Sequence, residues 1–108
     1  MKRCWIYCGV KPHTSLAEMG LRRQNLKKHA DEREYKIVSI TSENMYGSFV
    51  QCKGALDVLS AVTNEKMDIL LLEKGILDRN DEAIKLFINY AKNHDVEIEE
   101  IDFQSKGE

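Results

Sequence analysis

The hydrophobic residues of this chain fall into four short runs typical of β-strands, at positions 4–10, 35–41, 68–72 and 96–103. Between these runs, hydrophobic residues recur three or four positions apart, as they do in amphipathic helices. The first helix should begin near Thr14 or Ser15, both of which are capping residues, the second spans about 53–65, and the third opens between Asp78 and Glu82. This alternation predicts a three-layer α-β-α domain of the α/β class, with a mainly parallel sheet of four or five strands.

The spacing of apolar residues also predicts which side of each helix faces the core. The core-facing positions are expected to be Leu16, Met19, Leu26 and Ala30 in the first helix, Leu56, Leu59 and Val62 in the second, and Ile84, Phe87, Ile88 and Ala91 in the third. The uninterrupted apolar run 69–72 is typical of a central strand covered on both faces. Four acidic residues make the last strand polar on one side, so we expect it to be an edge strand with a bulge.

Composition narrows the class of protein without naming a function. The chain has 108 residues, 43% of them hydrophobic, which suits one ordered domain spanning 1–108. Its net charge of −2 gives no general attraction to nucleic acid, so any DNA contact would need a local basic patch. The best candidate patch is the stretch from Arg22 to His29, although acidic neighbours favour a solvated helix face instead. No apolar run approaches the length of a membrane span, and a cytoplasmic location is the default expectation.

Metal and cofactor sites are not indicated by the residues that usually build them. The three cysteines, Cys4, Cys8 and Cys52, show no C-x-x-C spacing and are expected to be buried free thiols. The three histidines lack ligand spacing, and no glycine motif for phosphate is present. We therefore expect neither a metal nor a cofactor.

Landmarks along most of the chain resemble one known family. The first strand ends in Tyr7-x-Gly9-Val10-Lys11, and Ser15-Leu16 follows where a helix should open. Residues 26–30 read Leu-x-x-His-Ala, and residues 35–38 read Tyr-Lys-Ile-Val. These segments are similar to the Tyr-x-Arg-Val-Ser, Ser-Leu, Leu-x-x-Tyr-Ala and Tyr-x-Ile-Val landmarks of the serine recombinase catalytic domain, the resolvase/invertase family.

Two later landmarks of that family are present in altered form. Where the family has a Ser-Gly loop and then Arg-Pro-x-Leu, this chain has Tyr46-Gly47 and then residues 53–56, so that Lys53 takes the arginine position if Leu56 sets the register. Where the family has Leu-Asp-Arg-Leu-x-Arg, the chain keeps Asp78 and Arg79 but has Glu82 at the second arginine.

The resemblance implies a resolvase-like fold whose chemistry has been lost. In the family a serine attacks a DNA phosphate, and arginines stabilise the charge that develops on it. Here Lys11 takes the place of that serine, and Gly9 and Glu82 take the place of two arginines. The positions that correspond to the family's site are thus Gly9, Lys11, Lys53, Asp78, Arg79 and Glu82, of which Asp78 and Arg79 keep the family's residues. We expect an inactive accessory or interaction module associated with a mobile element or a related recombinase, without a DNA-binding domain of its own.

Two alternatives stay open. An active recombinase would need an unrecognised hydroxyl nucleophile near Lys53 and Arg79, although the available serines and threonines are better explained as cap and turn residues. A small flavodoxin-like or Rossmann-like module would instead bind a ligand near Lys11, Thr41 and Lys74, at the carboxyl ends of the strands. Under any of these hypotheses Lys11, Lys53 and Arg79 are candidates for a weak anion site. Expected partners are DNA, bound weakly, or a related recombinase, and the chain could form a homo-oligomer.

Overall fold

The computed structural model describes residues 1–103 and contains the strands and helices in the predicted alternating order. The elements are β1 (Arg3–Val10), α1 (Leu16–Glu32), β2 (Lys36–Asn44), a 3-10 turn (Phe49–Gln51), α2 (Lys53–Thr63), β3 (Ile69–Glu73), α3 (Glu82–Asn93) and β4 (Glu97–Ile101). Ser15 caps α1, because its side chain accepts a hydrogen bond from the Glu18 backbone N–H at 3.1 Å. The last five residues of the predicted 1–108 domain lie outside the described residues.

The four strands form one parallel sheet in the order β2-β1-β3-β4. β3 is central and completely buried, and β4 lies at an edge, so both of those predictions are confirmed. The bulge predicted for the last strand is wrong, because the pairing of β3 with β4 is regular. The irregularity lies instead between β1 and β2, where the pairing skips Val38. As a result, Ile37 and Ile40 both face the layer that contains α1.

The helices cover both faces of the sheet, which confirms the three-layer architecture. On one face α1 contributes Leu26 and Ala30, which pack against the side chains of alternate β1 and β3 residues. On the other face α2 and α3 build the larger core with the opposite sides of β1 and β3. The buried helical residues of this second core are Ala55, Val58, Ala61, Val62, Ile84, Phe87 and Ala91.

The predicted core face of α2 is wrong in part. Val62 is buried, but Leu56 is 65% exposed and Leu59 is 39% exposed. The buried face of α2 consists of Gly54, Ala55, Val58, Ala61 and Val62, which are smaller than leucine, so the helix lies close to the strands with the two leucines turned outward. Leu16 is likewise exposed rather than in the core, because it is the first residue of α1 and precedes the turns that lie against the sheet.

All three cysteines are buried and free, as predicted. Cys4 and Cys8 lie on the α1 side of β1, whereas Cys52 precedes α2. Burial raises the pKa of Cys4 to about 12 and that of Cys8 to about 11, so neither thiol is activated as a nucleophile.

Candidate functional site

A cleft of about 680 Å³ lies at the carboxyl ends of β1 and β3. The chain proceeds from β1 to β2 on one side of β1, and then places β3 on its other side, so the strand order reverses here. Ligands of open α/β sheets bind at such reversal points. The cleft is lined by residues 9–12, Thr14, Glu18, Arg22, Met45, Gly47, Ser48, residues 73–76 and Asp78.

The charges around the cleft are balanced. Three basic residues, Lys11, Arg22 and Lys74, line it together with three acidic residues, Glu18, Glu73 and Asp78. A site for the transfer of a phosphoryl group needs a clear excess of fixed positive charge around the phosphate. This cleft does not have that excess.

The most buried charge in the cleft is the carboxyl group of Glu73, the last residue of β3. Its side chain is 10% exposed, and its Oε1 accepts a hydrogen bond from Arg22 Nη1 at 2.5 Å. Burial raises the pKa of Glu73, against the opposing effect of the Arg22 guanidinium. Its second oxygen, Oε2, is buried and has no hydrogen-bond partner among residues 1–103, the only side-chain oxygen or nitrogen of that kind in the described part of the chain.

Arg22 makes two further contacts besides its ion pair with Glu73. Its Nε donates to Glu18 Oε2 at 3.1 Å, and its guanidinium carbon lies 4.2 Å from the centre of the Phe103 ring. Glu18 and Arg22 are four residues apart on α1 and therefore on one face of the helix. The only arginine that lines the cleft is thus neutralised by two carboxylates.

Gly9 leaves no room for a larger side chain on the cleft side of β1. A Cβ atom at this position would lie 2.5 Å from Met45 Sδ and 2.7 Å from the Tyr7 ring. The Tyr7 hydroxyl donates to Glu43, and both oxygens of Glu43 accept from the Gly54 N–H, at 3.0 and 3.1 Å. Desolvation and Glu43 raise the pKa of Tyr7. An arginine at position 9 would therefore displace Met45 and disturb Tyr7, which anchors the first turn of α2 through Glu43.

Lys11 lies where β1 ends and lines the cleft. Its backbone carbonyl accepts hydrogen bonds from the Thr14 hydroxyl at 2.6 Å and from Asn44 Nδ2 at 3.0 Å. Thr14 is thereby engaged in the turn that leads into α1, as its role as a cap or turn residue predicts. Ser48, which precedes the 3-10 turn, also lines the cleft.

The loop after β3 brings only one of its two predicted site residues into the cleft. Asp78 lines the cleft, and its Oδ1 accepts from the Asn80 N–H at 2.9 Å. Arg79 instead forms an ion pair with Glu100 of β4, with Nη2 2.8 Å from Oε1. Arg79 is not among the residues that line the cleft.

Lys53 and Glu82 each begin a helix outside the cleft lining. Lys53 is the exposed first residue of α2, and Glu82 is the first residue of α3, where it pairs with Lys85 at 3.0 Å. Leu56, on which the alignment of Lys53 with the family's arginine depends, is 65% exposed. Lys11, Lys53 and Arg79 therefore do not share one cleft.

The three residues expected to bind a ligand in a flavodoxin-like or Rossmann-like module also lie in two different places. Lys11 and Lys74 share the cleft, as expected for a crevice at the strand ends. Thr41 lines a different groove between β2 and α2, where its Oγ1 accepts from Trp5 Nε1 at 3.0 Å. Sequence reasoning missed Glu73, although an acidic residue directly after the apolar run 69–72 was a usable signal, and it placed Arg22 in a candidate basic patch without the ion pair to Glu73.

Residues 1–103 contain neither a cluster of metal ligands nor a helix that could span a membrane. Within residues 1–103, no group of three or more histidine, cysteine, aspartate or glutamate side chains is placed to hold a metal ion. None of the described helices is long and apolar enough to cross a membrane.

Comparison with known proteins places the fold. No family model matches the chain, and no curated protein does. Among solved structures, the chain is similar to the C-terminal catalytic domain of ISC1926 TnpA, an IS607-like serine recombinase, with a TM-score of 0.79 and 23% identity over 91% of this chain and 68% of that one.

Two other structures agree. The N-terminal catalytic domain of TP901-1 integrase gives a TM-score of 0.75 and 16% identity over 93% of this chain and 77% of that one. The protein of the first open reading frame in transposon ISC1904 from Sulfolobus solfataricus P2 gives a TM-score of 0.68 and 19% identity over 100% of this chain and 72% of that one. The chain therefore has the resolvase-like fold of serine recombinase catalytic domains.

Proposed function

We propose that this domain is a resolvase-like module that does not transfer DNA strands, and that it acts as an accessory or interaction partner of a related recombinase. The observation that carries the proposal is the cleft at the ends of β1 and β3, which is lined by Lys11 and by equal numbers of basic and acidic residues, with a single arginine among them. An ammonium group can pair with a phosphate, but it does not form the reversible phosphodiester on which strand exchange depends.

Two features of the cleft support the loss of phosphate chemistry independently of Lys11. Met45 and the Tyr7 ring occupy the space that a side chain at position 9 would need. Arg22 is neutralised by Glu18 and Glu73, and the buried Glu73 carboxyl would repel a phosphate. Any anion binding that survives should be weak, and we place it at Lys11 rather than at Arg79, which is paired with Glu100.

The proposal is tested by trapping a covalent protein–DNA product. The chain is incubated with supercoiled plasmid and with nicked oligonucleotide duplexes that trap recombinase intermediates, and the mixture is denatured and separated by electrophoresis. We expect no covalent adduct under any condition. A related active recombinase serves as the positive control, and co-purification with it tests the proposed partner.

A second candidate function, an active recombinase with another nucleophile, has one observation in its favour. Ser48 lines the same cleft as Lys11. A DNA adduct that disappears in Ser48→Ala but persists in Thr14→Ala would establish this alternative and overturn the inactive-module proposal.

A further inference from the structure

The outer edge of β2 is not paired with any strand of residues 1–103. β2 comes first in the strand order β2-β1-β3-β4 and pairs only with β1. Beyond the irregularity at Val38, that pairing is regular from Ser39 to Asn44. An edge strand carries a row of backbone N–H and C=O groups that point away from the sheet. The segment 39–44 can therefore pair with one more extended chain.

The two edges of the sheet differ in their protection against such pairing. β4 has the sequence Glu-Ile-Glu-Glu-Ile, so three of its five residues are charged. In β2 the segment 37–42 reads Ile-Val-Ser-Ile-Thr-Ser and contains no charged residue. Charged side chains are a usual protection of edge strands against unwanted partners. The edge of β2 lacks this protection along most of its length, which indicates an interaction surface.

A groove of about 890 Å³ lies beside this edge, on the α2 side of the sheet. It is lined by residues 38–42 of β2 and by Ser60 and Ala61 of α2. Its one acidic lining residue is Asp57. The groove thus suits small uncharged side chains of an added strand, and Asp57 disfavours acidic side chains on this side.

The α1 side of the same edge is basic. Arg23 of α1 reaches β2, where its Nη1 donates to Ser42 Oγ at 3.3 Å. Lys27 lies one turn further along α1, on the same side of the helix. Neither Arg23 nor Lys27 takes part in the ion pairs formed among residues 1–103. Two positive charges beside β2 can therefore pair with acidic side chains of an added strand.

We propose that the edge of β2 binds an extended acidic peptide segment of another protein as a fifth strand. The backbone of residues 39–44 pairs with the segment, and acidic side chains at alternate positions lie on the α1 side, near Arg23 and Lys27. The small side chains between them lie in the groove beside α2. Because side chains alternate between the two faces of a strand, one segment satisfies both sides at once.

Two other occupants fit less well. A second copy of the chain, paired edge to edge through β2, would bring Arg23 and Lys27 of both copies to one seam, where like charges repel. A helix has its backbone donors and acceptors engaged internally, so it cannot pair with the edge. An extended acidic segment meets both requirements.

The test is a titration of the ¹⁵N-labelled chain, at low ionic strength, with an acetylated and amidated hexapeptide of alternating glutamate and valine. We expect saturable shifts of the amides of residues 39–44 with a Kd of about 1 mM. At saturation, the amides of this segment that point outward should exchange their hydrogens at least about fivefold more slowly.

Two control peptides separate backbone pairing from charge. The same hexapeptide with every backbone nitrogen methylated keeps its charges but has no N–H donors. A hexapeptide of alternating lysine and valine keeps the donors but reverses the charges. Each should bind at least about tenfold more weakly than the glutamate peptide.

A matched pair of lysines on α1 separates this edge from a general attraction to acidic peptides. Lys27→Gln should weaken binding of the glutamate peptide about threefold, and Arg23→Gln combined with Lys27→Gln about tenfold. Lys28→Gln removes the same charge from the next residue, which lines the groove between α1 and β4 instead. This control variant should bind the peptide as the original chain does.

The proposal is overturned if the glutamate peptide causes no saturable shift in residues 39–44, or if its methylated form binds as tightly. Equal effects of Lys27→Gln and Lys28→Gln would also overturn it, as would dimerisation of the free chain through residues 39–44. The inference does not depend on the loss of strand transfer, because that proposal is tested by covalent DNA adducts and this one by peptide binding.

Discussion

Substitution of Gly54 by alanine should destabilise this domain, although alanine is the better helix former. Gly54 is the second residue of α2, and a Cβ atom there would lie 2.5 Å from Glu43 Oε2 and 2.7 Å from Thr41 Cγ2. Both neighbours belong to β2, and Glu43 is further held by the Tyr7 hydroxyl. An alanine here would force the side chains of Glu43 and Thr41 to shift, because the first turn of α2 lies close to both.

The magnitude follows from three contributions. Alanine gains about 1 kcal/mol of helix propensity over glycine. Moving Glu43 away weakens its two contacts with the Gly54 N–H, a capping interaction of about 0.5–2 kcal/mol, and forcing the methyl group against Thr41 costs about 1–3 kcal/mol. We therefore expect a net loss of about 2 kcal/mol in the free energy of unfolding, which lowers Tm by about 10 °C in a domain of this size.

Gly20 offers a matched control within the same chain. It lies inside α1, and a Cβ atom there would meet nothing within 4 Å. Gly20→Ala should therefore stabilise the domain by about 0.5–1 kcal/mol. Urea denaturation followed by circular dichroism measures both changes, provided that the m-value is unchanged.

The opposite signs of the two substitutions are the essential prediction. If Gly54→Ala is as stable as the original chain while Gly20→Ala is stabilised, then α2 does not approach β2 as closely as described. A Glu43→Ala background refines the test, because there the penalty at position 54 should shrink to the contact with Thr41.

Three other predictions follow from burial and charge. The hydrogen bonds from Arg3 lower the pKa of Asp68 to about 2. The stability that this partly exposed pair adds is therefore present above about pH 4 and is lost as the pH falls toward 2. In an acid titration, Asp68→Asn should lack that part of the decrease in the free energy of unfolding. Cys4, whose pKa burial raises to about 12, should react with a thiol reagent only as fast as the domain unfolds, and rapid labelling of the native protein would contradict its burial. Leu26→Ala should cost about 2–5 kcal/mol in urea denaturation, whereas Leu56→Ala should change stability by less than about 0.5 kcal/mol; equal effects would contradict the orientation of α2.

The sequence predicted the order of elements and the three layers, because strand and helix periodicities are local signals. It failed at the orientation of α2, since periodicity could not choose between a leucine face and a face of small residues. The face of α2 that packs on the sheet is determined by how closely the backbone at Gly54 and Ala55 can approach the strands. That approach is a tertiary property, and the spacing of apolar residues does not record it.

The difference between local signals and tertiary contacts also explains which site residues could be predicted from the sequence. Lys11 could be placed at a strand end because it follows an apolar run directly, and the structure puts it in the cleft. The contact between Arg22 and Glu73 joins residues 51 positions apart, so no local sequence pattern could predict it. Lys53 and Arg79 were grouped with Lys11 by resemblance alone, and the described contacts do not bring the three into one cleft.

A serine at position 11 should not by itself give strand transfer, because the proposed inactivity has further structural causes. Lys11→Ser would place a hydroxyl at the end of β1, but Met45 would still fill the space beside Gly9, and Arg22 would still be neutralised by Glu73. A hydroxyl without fixed positive charge around the phosphate lacks the stabilisation that the transition state needs. We therefore expect Lys11→Ser to form no covalent DNA adduct in the trapping assay. An adduct from this single change would mean that the cleft still supplies that stabilisation, and that the proposed inactivity rests on the nucleophile alone.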